Sequence, residues 1–198
     1  MLGDELTILA IDDSQDSRDL YAMWLGEDHS VLLAPDGSTG LAELDESVDI
    51  VLVDRDMPGL SGMAVAEGIA AGDHDPYVAM VSSMRVDFDI VDVPIDDYVQ
   101  KPVTQADLGV IVEQYLAQRA YRSALDEFFS LTAKLAALEA ELTESELRAS
   151  DRYEGLKRRV AEKRREVDDA ISTPETDWTV AFKTCGDRDG VGVRSPNV

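Results

Sequence analysis

Short apolar runs alternate with stretches in which apolar residues recur every three or four positions over residues 1–118. Thr7-Ile8-Leu9-Ala10-Ile11 is a run closed by two acids and reads as a buried first strand. Ser30 to Ala34 is a short second strand, followed by a turn at Asp36-Gly37. Ile50-Val51-Leu52-Val53 has no polar interruption, which is the pattern of a third strand buried on both faces of a parallel sheet. Tyr77 to Val81 and Asp97 to Gln100 give a fourth and a fifth. Between them, Ser14 or Asp16 can cap a helix whose inner face carries Leu20, Met23 and Trp24. Further helices are predicted over Ser38 to Asp45, with Leu41 and Leu44 inward, and over Gly62 to Ala71. Met84 to Pro94 leaves room only for a short, poorly patterned helix. A helix starting near Thr104 places Leu108, Ile111, Val112, Tyr115 and Leu116 at core-facing spacing. Strands alternating with helices in this way predict an α/β fold with a five-stranded parallel sheet and right-handed crossovers.

From Arg119 the pattern changes. Leu125, Phe128, Leu131, Leu135, Leu138 and Leu142 recur at coiled-coil steps, and a second seam of Tyr153, Leu156, Val160, Val167 and Ile171 is out of phase with the first. Thr143 and Glu146 between them have capping-box spacing. One long helix with a stutter and a helical hairpin both satisfy this pattern. Thr173-Pro174 ends it, and a largely disordered tail is expected over 173–198. The expected organisation is thus a first domain at 1–118, a helical domain at 119–172 and a tail.

Charge sharpens the same boundary. The net charge is −23, yet residues 1–118 hold 4 Lys and Arg against 25 Asp and Glu, whereas residues 119–198 hold 14 against 16. So acidic a surface repels nucleic acid and anionic lipid, and it suits a salt-rich cytoplasm where self-repulsion is screened. The single cysteine, Cys185, cannot form an intramolecular disulfide and fits a reducing compartment. No run reaches the length of a membrane span and the N-terminus lacks the features of a signal peptide, so a soluble cytoplasmic protein is expected. His29 and His74 have no partner at metal-ligand spacing and read as surface residues; Trp24 and Trp178 read as packing residues.

The ends of the predicted strands carry the chemistry. Asp12 and Asp13 end the first, Asp54 the third, Ser82 the fourth, and Lys101 follows the fifth. In a parallel sheet these ends share one edge, where open α/β sheets bind ligands. Three carboxylates in one cleft repel one another unless a cation sits among them, and Mg²⁺ suits a water-rich oxygen shell. A lysine beside a metal makes sense if the site also holds a phosphoryl group, with the Ser82 hydroxyl as a further donor.

The acid pair Asp12-Asp13, Asp54 followed by Met57-Pro58-Gly59 and Gly62, the hydroxyl of Ser82, and Tyr98 three residues before Lys101-Pro102 closely resemble the receiver domain of two-component response regulators over roughly residues 5–118. The resemblance implies a flavodoxin-like doubly wound sheet in strand order 2-1-3-4-5. It implies that Asp54 accepts a phosphoryl group from a histidine kinase. Asp13 would hold Mg²⁺ directly and Asp12 mainly through water, with Asp54 and the Asp56 backbone carbonyl as further ligands. Lys101 would pair with the phosphoryl oxygens, Ser82 would move inward to bond them, and Tyr98 would follow. It also implies a cis Lys101–Pro102 peptide and a domain that catalyses only its own modification, not an enzyme acting on other substrates. Three features depart from the usual pattern. Ser83 replaces a smaller residue, Lys101 comes only nineteen positions after Ser82, and Asp56 sets an acid beside the site.

Tyr121 to Glu141 and Tyr153 to Ile171 resemble the HalX domain found behind receivers in haloarchaea, in keeping with the acidic composition. The favoured expectation is a phosphorylation-switched signalling protein whose helical segment forms a homodimer or binds a downstream protein. The alternative is a DNA-binding transcriptional regulator acting through Lys157, Arg158, Arg159, Lys163, Arg164 and Arg165. Those residues alternate with Glu162 and Glu166, as a salt-bridged helix face does, and no DNA-binding motif accompanies them. A phosphatase using the same acids would need a second acid placed as general acid, which the pattern lacks.

Overall fold

The computed structural model describes residues 5–172. The tail over 173–198, with Cys185 and Trp178, lies outside the described residues, as does the side chain of Ile171. The chain divides into two compact units, the break falling between Tyr115 and Leu116. Among the described residues no helix is long and apolar enough to cross a membrane.

In the first unit the strands are β1 (Thr7–Ile11), β2 (Ser30–Ala34), β3 (Ile50–Asp54), β4 (Tyr77–Ser82) and β5 (Asp97–Gln100). All pair in parallel, in the order β2-β1-β3-β4-β5. Every residue of β3 and β4 is buried, which is why these runs carry no polar alternation. Around the sheet stand α1 (Gln15–Leu25), α2 (Gly37–Glu43), α3 (Gly62–Ala70) and the first turns of α4 (Gln105–Glu141). Ser14 caps α1 by accepting from the Ser17 N–H at 3.4 Å, and Asp36 caps α2 by accepting from Thr39 at 2.8 Å. The expected inner face of α1 is corrected here. Tyr21 and Leu25 are its buried residues, whereas Leu20 and Met23 are 41% and 61% exposed. The helix turns an i,i+4 pair inward, and the polar end of Tyr21 has a partner at the acid cluster that a count of apolar residues overlooks. Leu108 and Ile111 are buried as expected, and the Tyr115 hydroxyl donates to Asp49 at 2.6 Å.

Between β4 and β5 there is one 3-10 turn, Phe88–Ile90, and no α-helix. The Lys101–Pro102 peptide is cis. Gly62 opens α3 against the end of β3. A Cβ there would lie 2.3 Å from the Asp54 carbonyl oxygen, so only glycine allows this approach. Gly59, at φ 82, makes the turn leading to it.

The second unit settles the choice between one helix and a hairpin. Helix α4 ends at Glu141, the short α5 (Glu144–Arg148) follows, and α6 (Asp151–Ser172) returns. Thr143 and Glu146 form the expected capping box. Tyr153 donates to Glu139 at 2.8 Å, while Lys163, farther along α6, pairs with Glu127, farther back on α4, at 3.0 Å. The two helices therefore run antiparallel. Leu131 on α4, Leu147 on α5 and Val167 on α6 are buried, whereas Leu138 and Leu142 of the expected seam are 37% and 40% exposed near the turn.

Candidate functional site

The carboxyl ends of β1 and β3 and the residues following β5 converge. One carboxylate oxygen each from Asp12, Asp13 and Asp54 lie within 4.8 Å of one another. Lys101 spans two of them, its Nζ 2.9 Å from Asp12 Oδ2 and 2.8 Å from Asp54 Oδ2. Asp12 and Asp54 are buried, whereas Asp13 and Asp56 are exposed. Backbone groups hold the remaining oxygens: Asp12 Oδ1 accepts from Ser14 N–H at 2.9 Å, and Asp54 Oδ1 from Asp56 N–H at 3.3 Å.

Burial pushes the Asp54 carboxyl above its ordinary range, and the charge of Asp12 adds to this against the opposing pull of Lys101. Burial would lower the Lys101 ammonium, but its bonds to Asp54 and Asp12 outweigh that and raise it. The site thus holds a shielded carboxylate beside a firmly charged lysine. Its all-oxygen, multiply acidic donor set is that of a hard divalent cation, so the residues present fit such an ion.

Ser82 is fully buried at the end of β4, next to β3, and its Oγ accepts from Met84 N–H at 3.0 Å. Tyr98, 8% exposed, donates its hydroxyl to the Met84 carbonyl at 2.9 Å. Both residues therefore grip Met84 at the start of the β4–β5 connection. Asp12, Asp13, Asp54 and Lys101 thus meet at one edge, Ser82 ends the neighbouring strand, and Tyr98 within β5 is joined to it through Met84.

Three further residues at the site are absent from the sequence reading. Arg18 donates from Nη1 to the Asp12 carbonyl at 2.5 Å. The Tyr21 hydroxyl lies 3.5 Å from Asp12 Oδ2, and burial followed by the charge of Asp12 pushes this phenol up to about 12. Arg55, buried directly after Asp54, is ion-paired with Asp89. Arg18 and Arg55 are two of only four basic residues in 1–118, and that scarcity is the signal that could have found these two.

Four basic residues of α6 are paired with acids. Lys157 meets Glu154 at 3.3 Å, Arg159 meets Glu127 at 3.4 Å, Lys163 meets Glu166 at 2.6 Å, and Arg164 meets Asp168 at 3.8 Å. A salt-bridged face was expected. Its partners are these four acids, and Glu162 is in none of these pairs.

A doubly wound parallel sheet with this strand order, and this cluster on its carboxyl edge, defines a receiver fold. The chain belongs to the response regulator receiver domain family, whose model matches residues 8–113, and residues 117–182 match the HalX domain. Among its relatives is a Haloferax volcanii protein named "Putative transcriptional regulator", 37% identical over 172 residues that make up 86% of this chain and 29% of that protein. The transcriptional regulatory protein CpxR of Klebsiella pneumoniae is 33% identical over 51% of this chain and 45% of its own length. A response regulator receiver domain protein of Clostridium thermocellum superposes with a TM-score of 0.51 at 27% identity, covering 58% of this chain and 96% of that one. The chain spans 29% to 38% of the lengths of the first curated relatives it matches. These relationships place it in two-component signalling.

Proposed function

We propose that this chain is a response regulator that takes a phosphoryl group on Asp54 from the phosphohistidine of a histidine kinase. The observation that carries this reading is the buried Asp54 carboxylate, 2.8 Å from the Lys101 ammonium and grouped with Asp12 and Asp13. An Asp54 oxygen forms the new bond to phosphorus as the phosphorus–nitrogen bond of the donor breaks. Asp13, Asp54 and the Asp56 carbonyl, with Asp12 through water, would hold Mg²⁺, which would supply positive charge against that of the phosphoryl group. Lys101 pairs with the transferred oxygens. Ser82 turns its hydroxyl toward them, the already buried Tyr98 shifts into the space released, and both give up their bonds to Met84 to do so. The protein catalyses only this modification and its reversal. Its output passes through the helical hairpin, as a homodimer or by binding a downstream protein.

Intact mass after incubation with acetyl phosphate and Mg²⁺ in high salt tests this. A gain of about 80 Da, one phosphoryl group of the kind that regulatory modification adds, in wild type but not in Asp54→Asn is expected. Equal labelling of both would overturn it. A sizing column run on the same samples reads any change in association.

The relatives named as transcriptional regulators favour a second reading, DNA binding by α6. The ion pairs along that helix weigh against it, because each paired cation must release an acid before it meets a phosphate. Charge reversal at Arg158 and Arg165 that abolished retention on a DNA column would restore this reading.

A further inference from the structure

The β4–β5 connection has only one 3-10 turn, so backbone hydrogen bonding alone cannot hold residues 84–93 in place. Three ties do so. Ser82 and Tyr98 grip Met84, Ile90 and Val93 pack against the core, and Asp89 pairs with Arg55. The last tie is asymmetric, with the Arg55 side chain 8% exposed and that of Asp89 45%. Asp89 can leave for water at small cost, but Arg55 would then be a buried charge without its counterion. The guanidinium thus holds the β4–β5 connection through Asp89, and it sits on the residue next to the phosphoacceptor.

We propose that Arg55 is the positioning residue of the switch: through Asp89 it fixes residues 84–93 in the arrangement described here, and Ser82 and Tyr98 release Met84 only when that pair opens. This rests on the reading of Asp54 as phosphoacceptor. Opening the pair frees a segment on which Phe88 and Val91 are 89% and 72% exposed, so the same event remodels an apolar surface beside the site. The short connection is legible in the sequence, but its means of signal transmission is not. Arg55–Asp89 supplies the missing link.

Hydrogen exchange read by mass spectrometry on the full chain tests this, with phosphoryl occupancy read on the same samples by intact mass. Without phosphodonor, Asp89→Asn is expected to speed exchange of the 84–93 peptide about tenfold, the factor of about 1.4 kcal/mol, while β1 and β3 peptides are unchanged. Asp89→Glu restores slow exchange. Acetyl phosphate with Mg²⁺ is expected to speed the same peptide in wild type and to add less than about twofold in Asp89→Asn, because coupled events are not additive. Exchange in Asp89→Asn equal to wild type overturns the proposal. So does an equal acceleration by phosphorylation in both proteins, since the pair is then a structural tie independent of the switch. If wild type gains no mass, the phosphoacceptor reading fails, a result separate from either exchange outcome.

Discussion

Lys101→Met removes the only side-chain cation that bonds the Asp12 and Asp54 carboxylates among the described residues, and its cost can be worked from the geometry. Two charge-assisted hydrogen bonds, at 2.9 and 2.8 Å, are lost. Bonds of this kind contribute about 1.5–3 kcal/mol each, and removing one partner of a buried ion pair costs about 3–5 kcal/mol. The Lys101 side chain is 21% exposed, so water already screens part of that interaction. Proton uptake by one of the two orphaned carboxylates caps the penalty from above. A loss of about 3 kcal/mol is therefore expected in metal-free protein at neutral pH, at the low end of the buried-pair range. Urea unfolding followed by circular dichroism and fluorescence measures it. Because the pair is enclosed, the loss persists in molar salt. It shrinks as pH falls into the carboxylate range, where the orphaned acids take protons, and it shrinks when Mg²⁺ supplies the missing positive charge. A loss below about 1 kcal/mol, or one indifferent to both pH and Mg²⁺, would refute the view of Lys101 as the neutraliser of this cluster.

Asp54→Asn is expected to stabilise the metal-free protein at neutral pH. The folded state raises the Asp54 carboxyl, so its contribution to stability is present below the ordinary carboxylate value and lost as pH rises through the folded one. The advantage of the Asp54→Asn variant should therefore vanish as pH is lowered through that window, read as the difference between urea midpoints. Mg²⁺ at about a hundred times its dissociation constant should stabilise wild type by about 2.7 kcal/mol, and Asp13→Asn should largely abolish this, as thermal melts with and without chelator would report. Leu131→Ala, at a site 2% exposed in the hairpin, should cost about 2–5 kcal/mol of helix stability, measured by thermal loss of the helical signal.

The fold and the centre of the site were legible because both are written in local pattern. Unbroken apolar runs marked β1, β3 and β4, and the acids closing β1 and β3 marked the edge where Asp12, Asp13 and Asp54 meet. What escaped depends on contacts far apart in the chain. Tyr21 points inward because its hydroxyl reaches Asp12, so counting apolar positions on α1 selected Leu20 and Met23 instead. Arg55 belongs to no local pattern, and only the fold brings Asp89, thirty-four positions later, against it. The hairpin was undecided for a related reason. Its capping box is local and was visible, but the chain reversal is fixed by Glu127 meeting Arg159 and Lys163 and by Glu139 meeting Tyr153.

The central claim is that Asp54 itself carries the phosphoryl group, and trapping the acyl phosphate tests this most directly. After incubation with acetyl phosphate and Mg²⁺, borohydride reduces an aspartyl phosphate to homoserine, which peptide sequencing by mass spectrometry locates. Homoserine at position 54, dependent on Mg²⁺ and on phosphodonor, is the expected result. Homoserine at Asp12 or Asp13 instead, or none at any position from protein whose fold is intact, would contradict it.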